Sequence, residues 1–333
     1  MLLSDDQILI RDSAREFAQG EIAPRAAEMD KTAEFPTDIA VKLGELGFLG
    51  MTISEEWGGI GADNVSLALV IEEISAADGA CGLLVGLQNS VVCGPINQFG
   101  SKEQKERFLR PAARGEMRGC FCLTEPQAGS DASNLRTRAE LRGNRYIVNG
   151  SKQFISSGST ADFALIFGVT DPDAGKKGIS AFIALTDADG YQVVTREDKL
   201  GQRASDTCQL SFNDLEVFPD MVLGEPGEGY RIALSNLEGG RIGIGAQALG
   251  IARAAYEAAL SYAKDRESMG RPIIEHQAVA FRLADMATKI EVSRQMILHA
   301  ATIKDSGRPA LKEASMAKLF ASEMAEEGCS AAI

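Results

Sequence analysis

The sequence predicts an α+β protein made of an N-terminal helical domain, a central antiparallel β barrel or sandwich and a C-terminal antiparallel helical bundle. Apolar residues recur at helical spacing up to about residue 117, and this spacing returns from about residue 226. Between these regions, short β-branched runs alternate with turn pairs. A chain of 333 residues is also too long for one small domain. We therefore predict domains at 1–117, 118–225 and 226–333.

Start and stop signals place the N-terminal helices. Ser4 and Gln7 have the spacing of a capping box, and so do Ser101 and Gln104. Pro111 is expected to end the short helix that Ser101 opens. The stretch 80–99 is apolar on nearly all sides, which predicts a helix buried in the core. Besides the helices after Ser4 and Ser101, we predict helices over 37–46, 65–77 and 80–99.

The middle of the chain carries the signals of short strands. Residues 145–150 alternate in polarity and end in Asn149-Gly150, a pair that favours a hairpin turn. Further strands are predicted over 120–123, 163–169, 178–185, 192–195 and 208–212. Helical spacing then covers 230–266, 279–297 and the residues from 310 onward, and long helices joined by short turns predict a bundle.

A glycine-rich run from Arg241 to Gly250 has some likeness to a dinucleotide-binding loop. No predicted strand precedes it, however, and its third glycine is misplaced for such a loop. We predict instead that its small residues allow two helices to pack closely.

Composition and charge exclude several classes of protein. The net charge of −13 argues against a broad surface for nucleic acid or for an anionic membrane. No apolar run is expected to span a bilayer, and the first residues lack the features of a signal peptide. We predict a cytoplasmic protein, or a mitochondrial matrix protein if the source is eukaryotic. The six cysteines are expected to be reduced thiols, and the two histidines are too few for a metal site.

The stretch from Phe121 to Asp131 carries the clearest chemical signal. It begins like a strand, which Pro126 and Gly129 interrupt. Beyond the break it offers hydroxyl groups on Thr124 and Ser130 together with free backbone N–H groups, which suit a polar ligand. An ordinary loop rich in turn residues has the same composition. The residues alone leave both interpretations open.

The same stretch, Phe-Cys-Leu-Thr-Glu-Pro-Gln-Ala-Gly-Ser-Asp, resembles the flavin-binding loop of the acyl-CoA dehydrogenase family. About thirty residues later, Asn149-Gly-Ser-Lys-Gln-Phe154-Ile-Ser156 resembles the family's Asn-Gly-x-Lys-x-Trp-Ile-Thr. The resemblance implies an enzyme that holds FAD and dehydrogenates an acyl-CoA between its α and β carbons. It also implies an electron-transfer flavoprotein as acceptor and a homo-oligomer, a dimer of dimers.

The resemblance further assigns individual positions. Phe154 replaces the family's tryptophan and Ser156 its threonine, although core packing is an alternative for Phe154. Arg266 matches an arginine that reaches the FAD diphosphate of a neighbouring subunit, although a helix-end charge is an alternative. The implied cofactor contacts are Phe121, Cys122, Leu123, Thr124, Glu125, Pro126, Gln127, Ala128, Gly129, Ser130, Phe154, Ile155, Ser156, Arg266, Ser268 and Gln277. The implied substrate contacts are Ser130, Ser180, Glu238, Gly239, Gly240 and Arg241.

The family's catalytic glutamate has no counterpart that we can assign. Isovaleryl- and long-chain members carry it immediately before the arginine that Arg241 matches, and Gly240 stands there instead. Other members carry it in a Tyr-Glu-Gly-type motif near the C-terminus, and no such motif precedes Ile333. Since the last helix lacks a stop signal, we expect that the chain is cut off mid-helix and that the base lies beyond Ile333.

The run Ser235–Gly250 most resembles the short-chain, butyryl-CoA branch of the family. Two alternatives remain at this point. One is an acyl-CoA oxidase, in which oxygen reaches the reduced flavin. The other is a flavin- or CoA-binding protein without catalysis, since the expected base is missing and this chain alone is then inactive.

Overall fold

The computed structural model describes residues 2–333. Helices occupy the N-terminal part, strands the middle and helices again the C-terminal part, so the predicted α+β class is confirmed. The described chain divides into two compact units. One contains the residues up to Ala27 with 63–86 and 238–333, and the other contains 28–62 and 87–237. This division into two units does not test the three predicted domains, which stay a prediction.

The N-terminal helices follow their predicted signals closely. Both capping boxes are formed, at Ser4 and at Ser101. Asp63 caps a further helix by accepting the N–H of Ser66 at 2.7 Å. The helices are α1 (Asp5–Phe17), α2 (Ala26–Thr32), α3 (Thr37–Glu45), α4 (Asn64–Ala77), α5 (Gly79–Leu87), α6 (Gly94–Phe99), α7 (Lys102–Gln104) and α8 (Arg110–Ala113).

Pro111 does not end its helix, contrary to the prediction. A π-helical turn, Lys105–Leu109, precedes α8, and the helix continues through the proline to Ala113. Proline at the start of a helical segment removes only an N–H that has no partner there, and the wider π turn absorbs the interruption.

The apolar stretch Gly79–Phe99 is continuously helical, because a π-helical turn (Gln88–Cys93) joins α5 to α6. By length and composition, its 21 residues with a mean hydropathy of 1.4 could cross a membrane. The prediction that no run is long enough was therefore wrong. The prediction of burial fits, since 61% of its apolar window is buried inside the structure.

Eight strands form the sheet of the second unit. Most neighbours are antiparallel, while β1 and β2 both pair with β4 in parallel. Four phenylalanines of the core beneath it are fully buried: Phe163, Phe167, Phe182 and Phe212. The strands are β1 (Gly119–Cys122), β2 (Arg138–Arg142), β3 (Arg145–Ser156), β4 (Phe163–Val169), β5 (Ile179–Leu185), β6 (Tyr191–Arg196), β7 (Thr207–Val217) and β8 (Val222–Leu223).

The predicted hairpin at Asn149-Gly150 is wrong. Strand β3 continues through this pair to Ser156, and the turn lies earlier, between the paired residues Arg142 and Arg145 of β2 and β3. Strand β2 was not predicted, since four of its five residues are exposed and its apolar pattern is weak. Asn149-Gly150 instead marks a β-bulge opposite β7. A Cβ on Gly150 would lie 2.5 Å from Thr137 Oγ1, so the close approach requires glycine.

The C-terminal helices confirm the predicted bundle. They are α9 (Gly229–Asp265), α10 (Gln277–Asp305) and α11 (Leu311–Ala332), with a small hairpin of β9 (Glu267–Ser268) and β10 (Arg271–Pro272) between the first two. The run Arg241–Gly250 lies inside α9, as predicted for helix packing. A Cβ on Gly250 would lie 2.3 Å from the carbonyl oxygen of Glu72 on α4. The dinucleotide interpretation is thereby excluded.

Two neighbouring glutamates on α4 pair with arginines on three other helices of the first unit. Glu73 is buried and receives two hydrogen bonds each from Arg15 on α1 and Arg253 on α9, at 2.6–3.1 Å. Glu72 receives two from Arg294 on α10, at 2.8 and 3.2 Å. Buried carboxylates of this kind are retained in a fold only when they are fully paired.

Candidate functional site

The loop after β1 is a tight turn. The backbones of Glu125 and Ala128 exchange two hydrogen bonds of 3.0 Å around Pro126-Gln127. Gly129 and Ser130 follow the turn and are exposed. A Cβ placed on Gly129 would meet nothing within 4 Å, so the space beside this loop is open.

Phe154 lies at the other end of the predicted motif, near the end of β3. Its side chain is 62% exposed and its φ is +56°, a left-handed conformation that is costly for an aromatic residue. A break in register between Lys152 and Ile155 produces this geometry. The core-packing alternative for Phe154 is therefore wrong, and an aromatic face is held out toward solvent.

The structure brings the two motifs together. The N–H of Gln153 donates to the carbonyl oxygen of Thr124 at 2.9 Å. The side chains of Thr124 and Ser156 are both half-buried, and within residues 2–333 neither hydroxyl has a hydrogen-bond partner. One aromatic face and two available hydroxyls thus come from segments that are joined directly.

Glu125 and Lys152 form a fully buried ion pair within these segments, with 2.8 Å between Nζ and Oε1. Burial opposes ionisation of the carboxyl, but the Lys152 ammonium and the N–H groups of Arg136 and Thr137 hold the pKa of Glu125 below its usual value. Glu125 was predicted as a cofactor contact. Its carboxylate is saturated by internal partners, so any contact would come from its backbone, and the cofactor role stays a prediction.

Several other predicted contacts have buried side chains. These are Cys122, Leu123, Ala128 and Ile155, whose contribution to ligand binding would come from the backbone. Ser180 is fully buried, and its hydroxyl oxygen lies 2.8 Å from Thr170 Oγ1 and accepts the N–H of Gly227 at 2.9 Å. Both partners of the hydroxyl are internal, so the predicted substrate contact would come from the backbone and stays a prediction.

Arg266, Ser268 and Gln277 are grouped on one connection of the first unit. The hairpin is closed by a hydrogen bond from the N–H of Ile273 to the carbonyl oxygen of Arg266 at 2.8 Å. His276 Nε2 lies 3.1 Å from the carbonyl oxygen of Ser268. Arg266, Ser268 and Gln277 are exposed, and in the described chain the Arg266 guanidinium makes no ion pair. It is free to meet an anion supplied from outside this chain.

The segment Glu238–Arg241 lies on α9 in the same unit. Glu238 Oε1 accepts the N–H of Ala310 at 3.0 Å and so serves the start of α11. Burial lowers the pKa of Lys304, and Glu238 and Asp305 partly oppose this effect. The Lys304 ammonium lies against Gly239, since a Cβ there would be 2.3 Å from Nζ. Arg241 is half-buried and makes no ion pair among residues 2–333.

Two residues that matter for this geometry were missed. Gln88 is fully buried, and its amide pairs with both backbone groups of Gly119, at 3.0 and 3.2 Å, where β1 begins. Lys152 stood in the quoted motif without a role. The alternation of β3 places Lys152 on the core-facing side, but the turn predicted at Asn149-Gly150 ended the strand before that position. No comparable signal marked Gln88.

The chain is similar to known proteins over its whole length. Sequence models of the N-terminal, middle and C-terminal domains of acyl-CoA dehydrogenases match residues 4–116, 120–215 and 227–333. An acyl-CoA dehydrogenase of Bacillus subtilis is 46% identical over 325 residues, which cover 98% of this chain and 86% of that protein.

Two solved structures show the same likeness. Butyryl-CoA dehydrogenase from Megasphaera elsdenii has a TM-score of 0.97 and 38% identity, with 100% of this chain and 88% of that chain covered. A chain in a structure from work on the electron transferring flavoprotein of Acidaminococcus fermentans has a TM-score of 0.98 and 45% identity, with 100% and 87% covered.

Proposed function

Because this chain belongs to the acyl-CoA dehydrogenase family of oxidoreductases, we propose that it binds FAD and dehydrogenates a short-chain acyl-CoA to the trans-2-enoyl-CoA. The observation that carries the proposal is the exposed, left-handed Phe154 joined to Thr124 through Gln153. Backbone strain of this kind, about 1–3 kcal/mol, is concentrated at ligand sites. A role in fatty acid β-oxidation is part of the same proposal.

The residues beside Phe154 fit a flavin. An isoalloxazine has a flat face and a polar edge, and the site offers an aromatic face with two unpaired hydroxyls next to open space. When bound, the flavin would supply a hydride acceptor for the β carbon. We assign Phe154 to the ring face, the Thr124 hydroxyl to the polar edge and the Ser156 hydroxyl to the neighbourhood of N5.

The exposed hairpin of the first unit suits the other end of the cofactor. A guanidinium fork matches a diphosphate, and Arg266 is exposed without a carboxylate partner in the described chain. We propose that Arg266, with Ser268 and Gln277, binds the diphosphate of FAD held by a second copy. The active form is then a homo-oligomer, a dimer of dimers, and its cytoplasmic location stays a prediction.

Substrate binding is assigned to Gly239, Gly240 and Arg241 on α9 and to Ser130. Arg241 supplies a positive charge for an anionic acyl-CoA. The missing side chain at Gly240 leaves room at the position where isovaleryl- and long-chain relatives carry the base. The Glu238 carboxylate accepts the N–H of Ala310 at the start of α11. We therefore assign the α-proton base to none of residues 2–333.

The electron acceptor is proposed to be an electron-transfer flavoprotein. The likeness to a chain from work on such a flavoprotein supports this class of partner. An acyl-CoA oxidase differs in letting oxygen react with the reduced flavin, and the acceptor assay below separates the two.

The test is to purify the chain, add FAD and remove the excess. Flavin absorbance should remain with the protein, and butyryl-CoA should perturb the spectrum of the bound flavin. Turnover should be measured with a dye acceptor and with oxygen. We expect any turnover to reduce the dye faster than it reduces oxygen. A colourless protein refutes the flavin proposal, and rapid turnover with oxygen alone refutes the dehydrogenase.

A further inference from the structure

Every polar group of the ion pair between Lys152 and Glu125 has a hydrogen-bond partner. Lys152 is fully buried, and its ammonium donates to Glu125 Oε1 at 2.8 Å, to the carbonyl oxygen of Leu123 at 3.1 Å and to that of Phe167 at 2.7 Å. An ammonium has three donors, and all three are used. A buried lysine is rare because removing its charge from water is costly.

The carboxylate is equally saturated. Its Oε1 also accepts the N–H of Thr137 at 3.1 Å, while Oε2 accepts the N–H of Arg136 at 2.6 Å and Nε2 of Gln127 at 2.7 Å. Gln127 lies in the turn itself, and the other two donors belong to the chain that follows it. The side chains of the pair therefore have no donor or acceptor left for a ligand. Their hydrogen bonds hold the loop after β1 in one conformation.

The segments held in this way are those that present the candidate ligand groups. Thr124 lies between Leu123 and Glu125, both of which are bonded to Lys152. Phe154 follows Lys152 by two residues, and the intervening Gln153 donates to the Thr124 carbonyl. The left-handed backbone of Phe154 persists only if its surroundings enforce it. The ion pair bonds both segments to each other.

We infer that Lys152 and Glu125 are positioning residues, which set the Thr124 hydroxyl and the Phe154 ring relative to a bound flavin and thereby set its affinity and reduction potential. The inference rests on the proposed function. A well-packed apolar pair would stabilise the fold as well or better, whereas a fully bonded ion pair specifies one arrangement of the loop. A displaced Thr124 hydroxyl would bond less well to the reduced ring, which lowers the potential.

The test compares two variants with a matched control. Lys152→Met/Glu125→Gln removes both charges while keeping side-chain volume. Glu125→Asp is the milder change, because it keeps the charge and shortens the side chain by one methylene. The control is Arg145→Met/Glu216→Gln, which removes an exposed ion pair between β3 and β7. FAD is titrated into each apoprotein, and the Kd, the absorbance spectrum of bound flavin and the two-electron midpoint potential are measured, together with the melting temperature.

We expect both variants to raise the FAD Kd at least tenfold, to alter the flavin spectrum and to lower the potential, while the control changes none of these. A tenfold change in the relative affinity for oxidised and reduced flavin corresponds to about 30 mV. If the double variant does not fold, the measurements on Glu125→Asp decide the question. Variants that melt earlier but bind FAD with wild-type affinity, spectrum and potential overturn the inference. Failure of the wild type to bind FAD overturns the proposed function instead.

Discussion

Substitution of Gly250 by alanine tests the close contact between α4 and α9. The added Cβ would lie 2.3 Å from the carbonyl oxygen of Glu72, 2.8 Å from Ser75 Cβ and 3.0 Å from the N of Ala76. Two of these atoms belong to the backbone and cannot rotate away, so the helices must separate. Overpacking of this kind costs about 1–3 kcal/mol.

Helix propensity acts in the opposite direction. Alanine is favoured over glycine in a helix interior by about 0.8–1.0 kcal/mol. Gly250→Ala should therefore lose about 0–2 kcal/mol after both effects are counted. Gly243 on the same helix is the matched control, because its added Cβ would meet only the Ile71 Cδ1 atom at 3.4 Å and the Gly86 Cα at 3.9 Å. Gly243→Ala should gain up to about 1 kcal/mol.

The assay is thermal and urea unfolding of both variants without added ligand. Unfolding entropy of about 2.1 cal/mol/K per residue gives about 0.7 kcal/mol/K for this chain. The overpacking cost of about 1–3 kcal/mol, by which the two variants differ, should therefore separate their Tm values by about 1–4 °C. Equal gains in stability of Gly250→Ala and Gly243→Ala over the wild type would refute the close packing of α4 and α9. An equal loss in both variants would show that glycine itself, rather than the contact, is required along α9.

Three further outcomes are expected. Arg266→Ala should weaken FAD retention at least tenfold, because a charge-assisted hydrogen bond contributes about 1.5–3 kcal/mol; the exposed Arg142→Ala is the control, and unchanged flavin content would count against the diphosphate role. Burial opposes the ionised form of Glu73, but hydrogen bonds from Arg253 and Arg15 lower its pKa below the ordinary 4.5. Its stabilisation is therefore complete above pH 4.5 and is lost as the pH falls through the folded-state pKa. Urea midpoints between pH 7 and pH 3 should fall less steeply in Glu73→Gln, and parallel curves would contradict this. Gln88→Leu should cost about 1–3 kcal/mol for each backbone group of Gly119 left unpaired, as measured by urea unfolding, and a neutral effect would show that water replaces the amide.

Local signals in the sequence were sufficient for most elements. Capping boxes depend on residues three apart, so the starts at Ser4 and Ser101 were predictable. Turn chemistry was less reliable, since Asn149-Gly150 has the composition of a hairpin but lies in a bulge. Glycine permits both conformations, and the partner strand β7 decides between them.

The candidate site was also predictable from the sequence only in part. Motif resemblance located the loop at Phe121–Ser130 and the strand end at Phe154, and the structure joined them through Gln153 and Thr124. The hydrogen-bond partners of the Glu125 and Ser180 side chains could not be predicted, because burial and partners depend on chain segments far away in sequence. Both side chains bond to groups of the protein itself.

The sequence by itself determined the α+β class, the order of helical and strand regions and the family, since these depend on periodicity and on motifs within short windows. Only the tertiary structure decided that Phe154 is exposed with a left-handed backbone and that Lys152 is buried against Glu125. The reason is physical. Exposure, strain and charge pairing are properties of what surrounds a residue, and those surroundings exist only once the chain has folded.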